Sequence, residues 1–174
     1  KQGAEGDYFY VLTRGAALVT RETPLSKDGI KLAELSVGDT FGEEALISDA
    51  KRNATVTMTT EGSVMRLGKD DFKKLLNEPM LEWVEYEQAK QIVAEGGQWL
   101  DVRLPSEFNN QHLDDAVNIP LYFIRLKINT LSKDKKYVVC CDTGRRSSAG
   151  AYILSERGFQ AYVLRGGINK DANS

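Results

Sequence analysis

Both cysteines of the chain, Cys140 and Cys141, close the apolar run YVVCC, and the turn Asp142-Thr143-Gly144-Arg145-Arg146-Ser147 follows them directly. Successive side chains of a strand face opposite ways, so Cys141 shares a face with Val139 and Tyr137 while Cys140 points with Val138. Adjacent Cα atoms lie ~3.8 Å apart, short of the ~4.4–6.8 Å of an ordinary disulfide, so the pair is not a crosslink. Two cysteines and one histidine do not supply the spaced ligand set of a zinc site, and no metal is expected. What remains is nucleophile chemistry at Cys141. The turn leads straight into a helical pattern, which places the thiol beneath backbone N–H groups at a helix N-terminus. Those groups, with Arg145 and Arg146, favour a thiolate. The same cradle suits an anionic sulfur or phosphorus compound, and Gly144 lets several amides converge. The competing reading of Cys141 is an inert cysteine buried at a strand end; Cys140 is read as a core residue.

Four polar residues upstream are candidates for support. Asp101, Arg103 and Glu107 follow the QWL run and are expected to pair and hydrogen-bond so as to fix a loop. His112, the single histidine, is expected in a buried hydrogen-bonding role, because an already ionised thiol needs no base. Trp83 and Trp99 read as core. The charged stretches 87–90 and 133–136 read as solvated faces.

The elements that must position these residues fall into two halves. In the first, DYFYVLTRGAALVTRE reads as a hairpin turning at Arg14-Gly15, RETPLSKDGIKL as a polar loop, and ATVTMTT and GSVMRLG as short strands. KDDFKKLL turns helical. Pro79 marks a break near 77–80, beyond which strands alternate with helical patterns. QWLDVR, AVNIP, YVVCC and AYVL read as strands; EYEQAKQIVAEGG, LYFIRLKINTL and RRSSAGAYILSERG read as helices, the last closed by Gly158 at C′. Such alternation predicts a parallel sheet covered by helices.

Composition agrees with a soluble globular chain: 174 residues, 41% hydrophobic and 28% charged. A net charge of −2 offers no basic field for nucleic acid or an anionic membrane. No apolar run approaches the ~20 residues of a membrane span, and no signal-peptide pattern opens the chain. A reduced, cytoplasmic protein is the expectation.

CDTGRRS resembles the active-site loop of the rhodanese (sulfurtransferase) family: Cys, two variable residues, Gly, a variable residue, Arg-Ser. WLDVRLPSEFNNQHLDDAVNIP is similar to that family's Asp-x-Arg, Glu-Phe, His and Ala-x-Asn-Ile-Pro series, and Arg165-Gly166-Gly167 to its terminal Gly-Gly segment. Two positions depart: Gln111 and Asp115 stand where the family usually has glycine. The resemblance implies two-step sulfur transfer. The Cys141 thiolate takes the outer sulfur of a small anionic donor such as thiosulfate, becoming a persulfide, and a thiol or cyanide acceptor removes it. The loop amides from Asp142 to Ser147 cradle the persulfide, and Arg145 and Arg146 attract the donor. Rhodanese-like cell-cycle phosphatases place their arginine after five intervening residues; here that position holds Ser147, which favours sulfur over phosphate.

The first half resembles the cyclic-nucleotide-binding domain. QGAEGDYFYVLTRGAALV is similar to its Gly-Asp-x-x-Phe-Tyr-Val-Leu-x-x-Gly segment, and VGDTFGEEALISDAKRNATV to its phosphate-binding cassette. The residues implied are Gly42, Glu43, Ala45, Arg52, Asn53 and Ala54: Gly42 opens a short helix toward a cyclic phosphate, Arg52 pairs with that phosphate, and Glu43 holds the ribose 2′-hydroxyl. Glu44, Lys51 and Asn53 depart from the usual pattern, and an inward carboxylate at Glu44 opposes an anion. The pattern is entered partway, so the domain is read as partial. The competing reading is a β-scaffold for a homodimer.

The expectation is thus two domains. Residues 1–78 form a partial cyclic-nucleotide-binding domain, mainly antiparallel β; residues 79–174 form an α/β rhodanese domain with a parallel sheet flanked by helices. The expected activity is thiosulfate-type sulfur transfer needing no cofactor, with cAMP or cGMP as a regulatory ligand. The alternative is a nucleotide sensor whose second domain docks a protein.

Overall fold

The computed structural model describes residues 1–168. The chain divides into two compact units, Lys1–Leu76 and Asn77–Ser174; the last six positions of the second lie outside the described residues.

The first unit holds two three-stranded antiparallel sheets. Its strands are β1 (Tyr8–Arg14), β2 (Ala17–Thr23), β3 (Ser26–Leu35), β4 (Thr40–Phe41), β5 (Thr55–Met58) and β6 (Ser63–Gly68). A five-residue helix, α1 (Glu43–Ile47), follows β4. Helix α2 (Lys69–Phe72) runs into a π-helical turn, Lys73–Asn77. One sheet is ordered β4-β1-β6 and the other β3-β2-β5.

Two expectations are corrected here. Strands β1 and β2 are not a hairpin: Tyr8–Arg14 pairs with β6 and Ala17–Thr20 with β5. They form one long ribbon with the 55–68 stretch, and the ribbon bends from one sheet to the other at Gly15. The bend is held across the ribbon, where Thr59 N donates to Ala16 O (2.9 Å) and Ala16 N donates to Thr60 Oγ1 (2.9 Å). Nor is 21–32 a loop. It is the β2–β3 hairpin, registered Thr23↔Ser26, in which polar side chains on an exposed ribbon leave backbone pairing untouched. Phe9, Leu12, Leu32, Leu35, Leu46 and Phe72 form the core, with Phe9 stacked on Phe72 at 4.7 Å.

The second unit is a five-stranded parallel sheet ordered β7-β11-β10-β8-β9. Its strands are β7 (Glu82–Val84), β8 (Gln98–Asp101), β9 (Val117–Asn118), β10 (Lys136–Cys140) and β11 (Gln160–Leu164). The helices are α3 (Glu78–Met80), α4 (Tyr86–Ala94), α5 (Pro105–Asn110), α6 (Ile124–Lys127, flanked by 3₁₀ turns) and α7 (Arg145–Glu156). The central strand β10 is buried from Tyr137 to Cys140, as a strand covered on both faces must be. Helix α7 presses close to the sheet: a Cβ at Gly150 would lie 3.1–3.2 Å from Ile124, Val102 and Val139. Trp99 is core, but Trp83 is 39% exposed, because it sits on the edge strand. Among the described residues no helix is long and apolar enough to cross a membrane.

Candidate functional site

Open parallel sheets present their ligand sites at the carboxyl ends of the strands. Three neighbouring strand ends converge here: β8 delivers Asp101 and Arg103, β10 delivers Cys141, and β11 delivers Arg165–Gly167. Cys141 is the first residue past β10 and is fully shielded from solvent. Its sulfur is nonetheless aimed at main-chain hydrogens. Gly144 N donates to Sγ at 3.1 Å and Ser147 N at 3.4 Å, with Ser147 Oγ also 3.4 Å away. Gly144 is the N-cap of the 12-residue α7, with φ of +97°, so the sulfur lies at the positive end of that helix.

The ring of amides is smaller than the 142–147 run suggests. Thr143 N donates to Asp142 Oδ1 (3.0 Å), so it serves the loop and not the sulfur. The loop is braced from behind by Ile168 N, which donates to Cys141 O at 2.9 Å. At Gly167 the segments touch backbone to backbone: a Cβ there would lie 2.2 Å from Asp142 O.

The two arginines differ sharply. Arg145 is exposed. Arg146 donates twice to Glu107, at 2.7 and 2.8 Å, and pairs with Asp142 at 3.0 Å. Glu107 in turn accepts from Leu104 N (3.0 Å) and caps α5. The Arg146 hydrogen bond holds the Glu107 carboxyl below the usual range, against partial burial. Burial works against ionisation of Asp142, yet the bond and charge of Arg146 with the Thr143 amide outweigh it, and its carboxyl is lowered too. The guanidinium of Arg146 is raised, first by Glu107.

Asp101 and Arg103 are a buried pair at the end of β8, 2.7 Å apart at Arg103 Nη2, and Arg103 also donates to Gln111 O (2.7 Å). Asn118, which sequence reasoning left in a strand without a role, bridges them by donating to the carbonyls of Asp101 and Arg103 at 3.0 Å each. Its place in the Asn-Ile-Pro stretch was the available signal. His112 is corrected: it is exposed, stacked on Phe108 at 4.0 Å and bonded through Nδ1 to Phe108 O at 2.8 Å. His112 lies just past the end of α5, and its ring folds back on the last turn of that helix. Cys140 points into the cluster of Val84, Ala89, Trp99, Val138 and Leu164. Burial, then the charge of Asp101, pushes its thiol well above the ordinary range.

In the first unit the cassette residues also come together. Gly42 caps α1, and Glu43 and Ala45 are buried. Arg52 donates to Gly42 O and to Tyr8 O, both at 2.6 Å, with its guanidinium 5.8 Å from the Tyr10 ring centre. Asn53 Nδ2 donates to the Glu44 carboxylate, and Arg21 donates to Asn53 O at 2.9 Å. Ala54 is half-buried beside them. Glu44 is thus held by Asn53, another of the three departures from the usual cassette.

With this geometry in view, the rhodanese-like domain family model matches residues 85–174 and the cyclic nucleotide-binding domain model residues 1–78. The chain belongs to the rhodanese-like family through its second half, joined to a cyclic-nucleotide-binding-like first half. It is 38% identical to thiosulfate sulfurtransferase PspE of Escherichia coli over 72 residues, 40% of this chain and 69% of that one. It is 44% identical to the cAMP-dependent protein kinase regulatory subunit of Yarrowia lipolytica over 81 residues, 47% of this chain but 20% of the relative. A solved rhodanese-related protein from Thermoplasma volcanium shares 30% identity, covers 53% of this chain and 91% of its own, and superposes with a TM-score of 0.50.

Proposed function

We propose that the chain is a sulfurtransferase that carries sulfane sulfur as a persulfide on Cys141. The observation that supports this most is the pair of amides, from Gly144 and Ser147, aimed at Sγ at the start of α7. A thiolate there is held by fixed dipoles that need not reorganise during reaction. It attacks the outer sulfur of a donor such as thiosulfate; the S–S bond breaks and sulfite leaves with the electron pair. The persulfide then yields its outer sulfur to cyanide or a thiolate, and the Cys141 thiolate returns. Glu107 and Arg146 position the loop, while Asp101 and Arg103 fix the segment after β8. Sulfur transfer from thiosulfate to cyanide by the intact chain and by Cys141→Ser tests the reading: the variant is expected to be inactive, and activity equal to the parent's would leave only the protein-docking alternative.

The first unit supports a second, regulatory reading. The domain match at 1–78 and the joining of Arg52 to Gly42 within the cassette favour a cyclic nucleotide ligand, cAMP or cGMP. Calorimetric titration with each is expected to give binding that Arg52→Ala abolishes; no heat with either nucleotide would overturn it.

A further inference from the structure

The charges of the sulfur site are arranged in a way that selects among donors. Arg146, the cation built into the first turn of α7, is occupied by two carboxylates, Glu107 at 2.7 and 2.8 Å and Asp142 at 3.0 Å. The three groups together carry one net negative charge, and Arg145, exposed at the loop, brings the loop only to neutrality. Thiosulfate is a compact dianion whose whole charge must enter the loop with its sulfur. An organic persulfide, R–S–SH, brings at most one negative charge to the reacting end and leaves its organic body outside. Beside the loop stands a surface that suits such a body. Trp83 is 39% exposed, and its ring edge lies 3.4 Å from where a Gly144 Cβ would be. Arg165, 5.6 Å from the ring centre and paired with Glu85 at 2.8 Å, lies over it. With Arg165 already engaged by Glu85, what this surface offers is an aromatic face, which an organic chain can pack against and a small oxyanion cannot.

We infer that the donor of this site is a low-molecular organic persulfide in preference to thiosulfate, with Asp142 opposing the dianion and Trp83 holding the organic body. The inference rests on the Cys141 reading and narrows its substrate. The step balances without an oxidant or reductant: the Cys141 thiolate bonds to the outer sulfur of R–S–SH, the S–S bond of the donor breaks, R–S⁻ leaves with the electron pair, and the proton stays on the new persulfide.

The test compares kcat/KM for glutathione persulfide and for thiosulfate, with cyanide as common acceptor, in the intact chain, Asp142→Asn and Trp83→Ala. The parent is expected to prefer glutathione persulfide at least tenfold. Removing one carboxylate near a dianion is expected to raise the thiosulfate value relative to the persulfide value about tenfold, less at high salt. Trp83→Ala is expected to move the same ratio toward thiosulfate by lowering the persulfide value several-fold. A parent that prefers thiosulfate, or a ratio unmoved by both variants, overturns the inference while the Cys141 reading stands. Failure of both donors to load Cys141 overturns both readings.

Discussion

Replacing Gly167 by alanine tests how the sulfur loop is held. The added Cβ would lie 2.2 Å from Asp142 O, 2.3 Å from Asp142 C and 2.6 Å from Cys141 O. All three are main-chain atoms, so no side chain can rotate out of the way. The left-handed φ of +74° costs about 1–2 kcal/mol for any L side chain, and moving packed backbone costs a further ~1–3 kcal/mol. The expected loss is about 2–5 kcal/mol in the second unit. Both tryptophans, Trp83 and Trp99, belong to that unit, so their fluorescence in urea follows it alone. With a slope of about 1–2 kcal/mol per molar, the midpoint is expected to fall by about 2 M. Gly96→Ala is the control. Its φ is +100° but nothing lies within 4 Å of the added carbon, so only the conformational cost of about 1–2 kcal/mol applies. If Gly167→Ala costs no more than Gly96→Ala, the backbone contact is not what secures the loop, and the reasoning fails.

Cys140→Ala is expected to lower stability by about 1–2 kcal/mol, as trimming a small buried side chain does, while sulfur loading continues; loss of loading in a folded Cys140→Ala protein would give Cys140 a chemical part. Acid is expected to weaken the second unit through Glu107 and Asp142. Their folded-state values are depressed, so their contribution is present above their ordinary values and is lost as pH falls below about 4.5 through the lowered ones. Arg146→Gln removes the cause of both shifts, so its urea midpoint is expected to decline less steeply with acid than the parent's; parallel declines would show that the cluster does not couple to folding.

Much of the site was legible because its parts are local. The strand, turn and helix around Cys141 are consecutive in sequence, and the thiol's exit from β10 into the α7 N-terminus follows from alternation of apolar runs with a glycine turn. Legibility ended where partners lie far apart. Arg146 finds Glu107, 39 positions away, and that pairing, with Asp142, converts a cation expected to draw anions into part of a cluster with one net negative charge. The amide of Thr143 was missed for a local reason instead: the short carboxylate of Asp142 next to it competes with the sulfur. His112 was assigned a buried bond because an ionised thiol needs no base, whereas its ring is exposed and its bond to Phe108 O lies on the surface. In the first unit β1, β2, β5 and β6 were found but not their pairing. A bend carries β1 and β2 into different sheets, and that depends on the distant 55–68 strand pair. The polar β2–β3 ribbon carried no apolar alternation to mark it.

The most direct measurement is the intact mass of the protein, followed by peptide mapping, after incubation with a sulfane donor and then cyanide. The account predicts the gain of one sulfur atom on Cys141, its removal by cyanide, and no gain in Cys141→Ser. A protein that gains no sulfur, or that carries it on Cys140, would contradict the account.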